Sequence, residues 1–168
     1  MEALAPALTT FSQSGRWHQH ALSRSNAMAQ IEESAELNRN ADDAWRAFGA
    51  WEAVADWHPM LERVEADGNQ PGARRRAYTK DGQEQVERLV SRDEASRSYR
   101  YAMVETGLPV ENYMAEFRID AVDADHSKVT WTARFDEIGR KGEGAEAVRG
   151  FFEAGVKALA SSCPSSGI

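Results

Sequence analysis

The sequence predicts an α+β domain of seven strands with antiparallel neighbours, two short helices after the first strand and one long C-terminal helix. Three observations carry this reading. Six runs of strand character follow one another between residues 61 and 136, joined by short turn-forming segments. An amphipathic stretch of about 20 residues then closes the chain, roughly 30 Å if helical and long enough to cross a whole sheet. Before the six strands, a first strand is followed by two short helical segments, which gives the segregated order of an α+β chain.

Residues Ala29 to Asn38 alternate in part, with Ile31 and Leu37 among polar residues, and read as an edge strand. Asn40 can cap a helix over Ala41–Ala50, with Asp42 and Asp43 in the first turn where the helix dipole favours negative charge. Trp45 and Phe48, three apart, form its apolar face. A second short helix is expected over Trp51–Asp56, and Pro59 ends the helical stretch because the residue before proline avoids helical geometry. The six strands that follow are Leu61–Ala66, Ala73–Tyr78, Glu84–Arg92, Ser98–Glu105, Val110–Val122 and Lys128–Asp136. Their joints carry Gly, Asp or Asn, residues that admit positive φ or bond their own backbone. Joints this short imply antiparallel neighbours. Gly142–Ser161 reads as the closing helix, with Val148, Phe151, Phe152, Val156 and Leu159 at three- and four-residue spacing.

A chain of 168 residues fits one ordinary domain. Hydrophobic residues make up 42%, enough for a packed core. The net charge of -7, without a basic stripe, argues against nucleic acid and against an anionic membrane surface as partners. Arg74-Arg75-Arg76 is the one basic cluster, and it reads as a solvated strand end, with an anion-binding role as the alternative. Cys163, the single cysteine, can form neither an internal disulfide nor a cysteine-based metal site. No apolar run approaches the ~20 residues needed to span a bilayer. His126 lies in a turn and His18 and His20 in the extension, so no histidine cluster with metal-ligand spacing is expected, and neither a phosphate loop nor a G-x-S-x-G elbow is present. The expectation is a cytoplasmic protein without cofactor or metal, monomeric or homodimeric. Residues 1–27 carry two arginines against one glutamate and are expected to form a partly disordered extension. The domain is expected over 28–162, followed by a short tail over 163–168.

Several motifs resemble one family. Asp56-Trp57-His58-Pro59 is similar to the D-W-H-P junction of bacterial polyketide cyclase/dehydrase-like and lipid-transport-like proteins. Val86-Glu87-Arg88-Leu89 resembles their E-R-L strand, and Tyr99-Arg100-Tyr101 with Leu108-Pro109-Val110-Glu111-Asn112-Tyr113 resembles their Y-x-Y and L-P-V-x-N-Y segments. Val129-Thr130-Trp131 with Phe135-Asp136 resembles their V-x-W-x-x-x-F-D strand. Together these resemble the Bet v 1-like, or START-like, helix-grip superfamily (SRPBCC). The resemblance covers about residues 29–161 and implies a helix-grip fold, in which a curved seven-stranded antiparallel sheet wraps around the long C-terminal helix and leaves a cavity between its concave face and that helix. Resemblance to the plant abscisic-acid receptors of that superfamily implies ligand-facing positions at His58, Glu87, Tyr101, Met103, Val110, Tyr113, Trp131 and Phe151. Trp57, Tyr99, Phe135 and Gly155 complete the candidate ligand-binding set.

Alternation gives an independent view, because side chains two apart on a strand share a face. Tyr99, Tyr101 and Met103 share one; Tyr113, Ala115, Phe117 and Ile119 another; Trp131, Ala133 and Phe135 a third. These apolar faces coincide with the faces that the resemblance turns inward. On Glu84–Arg92 alternation leaves two choices, Val86 with Val90 or Glu87 with Leu89. The resemblance selects the second.

Glu87, His58 and Tyr113 are the candidate catalytic groups. A carboxylate in an apolar cavity is pushed towards protonation near neutral pH, and an imidazole beside it can exchange protons. The phenols of Tyr101 and Tyr113 can donate to a ligand carbonyl. Competing readings give the same residues structural roles. Glu87 pairs with Arg75, Arg100 or Arg134, His58 is satisfied by local backbone, and the tyrosines only pack. The loops Thr79–Gln83 and Glu105–Pro109 read either as gates over one rim or as plain hairpin turns. The leading expectation is binding or transport of a hydrophobic small molecule: a lipid, a polyketide or an aromatic metabolite. A polyketide cyclase or dehydratase using acid–base catalysis is the first alternative, and an accessory or stress-related interaction protein the second.

Overall fold

A computed structural model describes residues 28–165. The expected extension over 1–27 and the end of the tail lie outside the described residues. Seven strands form one antiparallel sheet: β1 (Met28–Leu37), β2 (Leu61–Ala66), β3 (Arg74–Thr79), β4 (Glu84–Asp93), β5 (Ser98–Glu105), β6 (Val110–Ala121) and β7 (Ser127–Glu137). Their order across the sheet is β1-β7-β6-β5-β4-β3-β2. From β2 to β7 each strand lies beside the next in sequence, as short joints require. β1 returns to the open edge beside β7, the edge position its polar alternation predicts.

Helix α1 (Ala41–Phe48) ends two residues before the expected boundary. The Asn40 side chain caps it, accepting from the backbone N–H of Asp43 at 2.9 Å. Trp51–Asp56 forms a 3₁₀ helix that carries the chain to the Trp57-His58-Pro59 junction. Helix α2 (Glu143–Ser161) lays Val148, Phe152, Val156 and Leu159 into the core. Each is at most 2% exposed, so the apolar stripe read from spacing is the buried face.

Two features set side-chain direction towards the cavity. On β6 the pairing with β7 slips between Glu111 and Met114, and Asn112 takes a left-handed conformation with φ 52. Such a bulge inserts one residue and reverses parity beyond it. Val110 and Tyr113, an odd number of residues apart, are therefore both buried. Asn112 Nδ2 donates to Asp136 Oδ2 on β7 at 2.9 Å and pins the bulge. On β4, irregular pairing with β5 brackets the segment that turns Glu87 and Leu89 inward. Val90 is left 37% exposed, and Val86 is buried but stands apart from the main core.

The Arg74-Arg75-Arg76 cluster is a correction to the solvated-strand reading. On β3 the inward positions are Arg75, Ala77 and Thr79, while Arg74 faces solvent. Period-two alternation places the middle arginine in the interior, 2% exposed.

Candidate functional site

The sheet and α2 do not meet along their whole length. From the middle of α2 to its C-terminal end the layers pack against each other, with Val156 and Leu159 buried. Trp131 of β7 stacks on Phe152 with ring centroids 4.5 Å apart. Towards its N-terminal end they leave a cavity of about 210 Å³. Glu87, Tyr101, Met103 and Tyr113 of β4, β5 and β6 form its floor, and Ala147, Val148, Phe151 and Phe152 of α2 its roof. Met60, Thr79, Asp81, Gln83 and Leu108 stand around the mouth. The loop over residues 79–83 and the tip of the loop over 105–109 thus both reach the rim. The Thr79 hydroxyl donates to Asp81 and accepts from the Gln83 backbone N–H at 2.9 Å, which ties the first of these loops into a compact turn.

Behind the floor lies a buried ion pair. Arg75 and Glu87 are directly opposed on β3 and β4. Arg75 Nε donates to Glu87 Oε2 at 2.6 Å, and Arg75 Nη1 donates to the Trp51 carbonyl at 2.8 Å. The guanidinium lies over the Trp51 ring, 3.7 Å from its centroid, with Tyr101 at 4.9 Å. An arginine nearly free of water needs such a shell of charge, carbonyl and aromatic faces. Of the three arginines that could pair with Glu87, the partner is Arg75. A recess of about 10 Å³, lined by Arg75, Ala77, Gln85 and Glu87, extends from the floor towards this pair.

The phenols are neutral donors. Burial raises the pKa of Tyr101 well above its ordinary value, and the phenolic and carboxylate charges of Tyr113 and Glu87 push the same way. Burial likewise raises Tyr113, again helped by Glu87 and opposed by a hydrogen bond from Tyr101. Tyr101 OH accepts from Trp131 Nε1 at 2.9 Å. The indole therefore anchors Tyr101 from behind, while Tyr113 stands at the cavity wall.

His58 is 2% exposed and has both ring nitrogens engaged. Nδ1 accepts from the Met60 backbone N–H at 3.1 Å, so the proton sits on Nε2, which donates to the Phe151 carbonyl at 2.9 Å. The ring stacks on Phe151 at 3.9 Å between centroids. Burial lowers its pKa to about 4, the Phe151 carbonyl opposing and Arg75 adding to the drop. His58 thereby fastens the Trp57-His58-Pro59 junction to the middle of α2. Gly155 makes the approach possible, since a Cβ there would lie 2.8 Å from Trp131 and 2.9 Å from the His58 ring.

Of the candidate residues, Glu87, Tyr101, Met103, Tyr113 and Phe151 come together around the cavity. Trp57, His58, Tyr99, Val110, Trp131, Phe135 and Gly155 are not on its wall; they form the packed layer behind it or the joint between sheet and helix. His58 in particular does not face Glu87 as a proton partner. Arg75 is named by the sequence only as one of three possible partners of Glu87, and not as a residue of the site. The signal that could have found it is its parity with Ala77 and Thr79, opposite a strand whose inward group is Glu87. The roof residues Ala147, Val148 and Phe152 follow from the helical stripe once the cavity is placed at its N-terminal end. Among the described residues no cluster of three or more His, Cys, Asp or Glu is arranged to hold a metal ion.

A family model described as "Polyketide cyclase / dehydrase and lipid transport" matches residues 28–163, the whole sheet and both helices. The chain belongs to this family. Among solved structures, it is 32% identical to a protein of Thermobifida fusca, with a TM-score of 0.70 over 79% of this chain and 91% of that one. It is 23% identical to the protein XoxI of Bacillus cereus, with a TM-score of 0.75 over 80% and 95% of the two chains. It is 21% identical to the Zhui aromatase/cyclase of Streptomyces sp. R1128, with a TM-score of 0.64 over 81% and 93%. The last two likenesses establish a shared fold. No curated protein matches the chain. The helix-grip architecture expected from the motifs is the one the family and these structures share. Among the described residues no helix is long and apolar enough to cross a membrane.

Proposed function

We propose that the protein binds one small, largely apolar organic molecule in the cavity between α2 and β4–β6, as a carrier or sensor of that molecule. The observation that carries this reading is the composition of the cavity. Met103, Leu108, Val148, Phe151 and Phe152 supply apolar surface, and a few placed polar groups stand among them, the usual make-up of a small-molecule site. At about 210 Å³ the cavity is smaller than the roughly 300–1,000 Å³ of drug-sized pockets, so the ligand is compact, of one or two rings. A membrane-lipid chain in full does not fit this volume.

Acid–base catalysis is the weaker reading. A general base must take up and release a proton within reach of substrate. Glu87 Oε2 is engaged by Arg75, and His58 spends both nitrogens on backbone groups.

Native mass spectrometry of gently purified protein, followed by thermal shift against a library of compact aromatic compounds, tests the binding reading. A binder at a hundred times its Kd stabilises the fold by about 2.7 kcal/mol, a readily measured shift. Ala147→Phe, which fills the roof from a half-buried helix position, should abolish the shift and leave the unliganded protein folded. A chain that carries nothing and responds to no compound refutes the reading.

A further inference from the structure

We propose that the cavity selects a neutral ligand bearing a hydrogen-bond donor at its inner end, such as an alcohol or phenol, and discriminates against carboxylates. This rests on the binding reading above and names the class of molecule bound. Among the described residues the cavity wall holds no lysine, arginine or histidine. Its two ionisable carboxyl groups are Glu87 at the floor and Asp81 at the mouth. Arg75, the nearest cation, lines the small recess behind the floor and not the cavity itself. Its Nε and Nη1 donate to Glu87 and to the Trp51 carbonyl, and its flat face is covered by Trp51. An incoming anion therefore finds no counter-charge and meets the negative end of the Arg75–Glu87 pair.

Glu87 is 7% exposed, and its Oε2 is held by Arg75. Its other oxygen has no hydrogen-bond partner among the described residues, and the side chain lies on the cavity wall. This leaves an acceptor of the ion pair available on the wall of the ligand space. A neutral O–H or N–H placed there forms a charge-assisted bond, the stronger kind. A ligand ammonium would add a second buried cation beside Arg75 with a single carboxylate to share, an arrangement whose desolvation is not repaid. Neutral Tyr113, on the same wall, adds a donor for an oxygen on the same ligand.

Four probes of matched shape test this on the wild-type chain by calorimetry near pH 7: naphthol, methylnaphthalene, naphthoate and naphthylmethylammonium, each substituted at the same ring position. Naphthol should bind about tenfold more tightly than methylnaphthalene, the worth of one net charge-assisted bond. Naphthoate and the ammonium compound should bind about tenfold or more weaker than naphthol. Naphthoate or methylnaphthalene binding as tightly as naphthol overturns the selection and leaves apolar binding standing. Equal or better binding of the ammonium compound also overturns it. Failure of all four to bind counts against the cavity as a binding site. The double variant Arg75→Met with Glu87→Met removes both charges, and in it the preference of naphthol over methylnaphthalene should vanish. A folded double variant that keeps the full preference refutes Glu87 as its source. Should that variant not fold, the wild-type series still decides.

Discussion

Arg75 Nε and Glu87 Oε2 meet at 2.6 Å between adjacent strands, both residues less than 10% exposed, directly behind the floor of the cavity. The contact turns two costly buried charges into one dipole whose negative end faces the ligand space. It also joins β3 and β4 to the 3₁₀ helix through the Trp51 carbonyl. The pair thus shapes the site and holds together the elements that enclose it.

Removing either partner leaves the other as an uncompensated buried charge, which typically costs about 3–5 kcal/mol. Arg75→Met and Glu87→Gln should each lower the unfolding free energy by roughly that amount in urea titrations. The double variant Arg75→Met with Glu87→Met should recover most of the loss, because apolar side chains replace both charges together. Additive losses in the double variant would show that the two residues act separately.

Gly155 should tolerate no side chain. Alanine favours a helix over glycine by about 1 kcal/mol. The new Cβ would, however, lie under 3 Å from both the Trp131 ring and the His58 ring, two groups fixed by their own packing and hydrogen bonds. Overpacking of this kind costs about 1–3 kcal/mol. Gly155→Ala should therefore lower the melting temperature, and it should weaken ligand binding as well because Phe151 is displaced with the helix. A melting temperature equal to or above wild type would show that the two rings yield freely.

His58 makes the fold sensitive to acid. Burial, with a smaller contribution from Arg75, lowers its pKa from 6.5 to about 4 in the folded chain. Below pH 6.5 the unfolded chain gains a proton that the folded chain does not. Stability from this group is therefore full above pH 6.5, falls between about 6.5 and 4, and levels off below that. The total is on the order of 3 kcal/mol. His126 acts in the opposite sense, since hydrogen bonding to and the charge of Asp123 raise its pKa, but it is exposed on a turn. Comparing unfolding free energies of wild type and His58→Gln at pH 7, 5.5 and 4.5 isolates the buried ring. Parallel curves for the two proteins would remove His58 as the cause.

The fold is written in local signals, which is why it reads directly from the chain. Hydrophobic alternation and the turn residues between runs mark every strand to within a residue or two, as with Ser98–Glu105, and the stripe from Val148 to Leu159 marks α2. The cavity is legible only in part, because its wall depends on how far apart two layers stand at one end. Tyr101, Met103 and Tyr113 reveal themselves as inward residues of strands, but parity does not separate the wall from the solid core at Tyr99 and Trp131. Arg75 is hidden by its charged neighbours, whose side chains point the other way. His58 has the composition of a proton shuttle, and its role as a strut appears only when Met60 and Phe151 are seen on its two nitrogens.

Tyr101 and Tyr113 are neutral buried phenols on the same wall, with ring centroids 6.3 Å apart, yet their loss should be felt differently. Tyr101 OH accepts the indole N–H of Trp131, which is itself fully buried. Tyr101→Phe leaves that donor without a partner and should cost about 1–3 kcal/mol of stability. Tyr113 receives a hydrogen bond from Tyr101, a neighbour on the same wall, and itself lines the cavity. Tyr113→Phe should change stability by less than about 1 kcal/mol and instead weaken binding of an oxygen-bearing aromatic ligand by about five- to tenfold, with little effect on its hydrocarbon analogue. Urea titration and calorimetry on the two variants, run side by side, distinguish these outcomes. If Tyr101→Phe is neutral and Tyr113→Phe unfolds the chain, the anchor and the ligand-facing donor have been assigned the wrong way round.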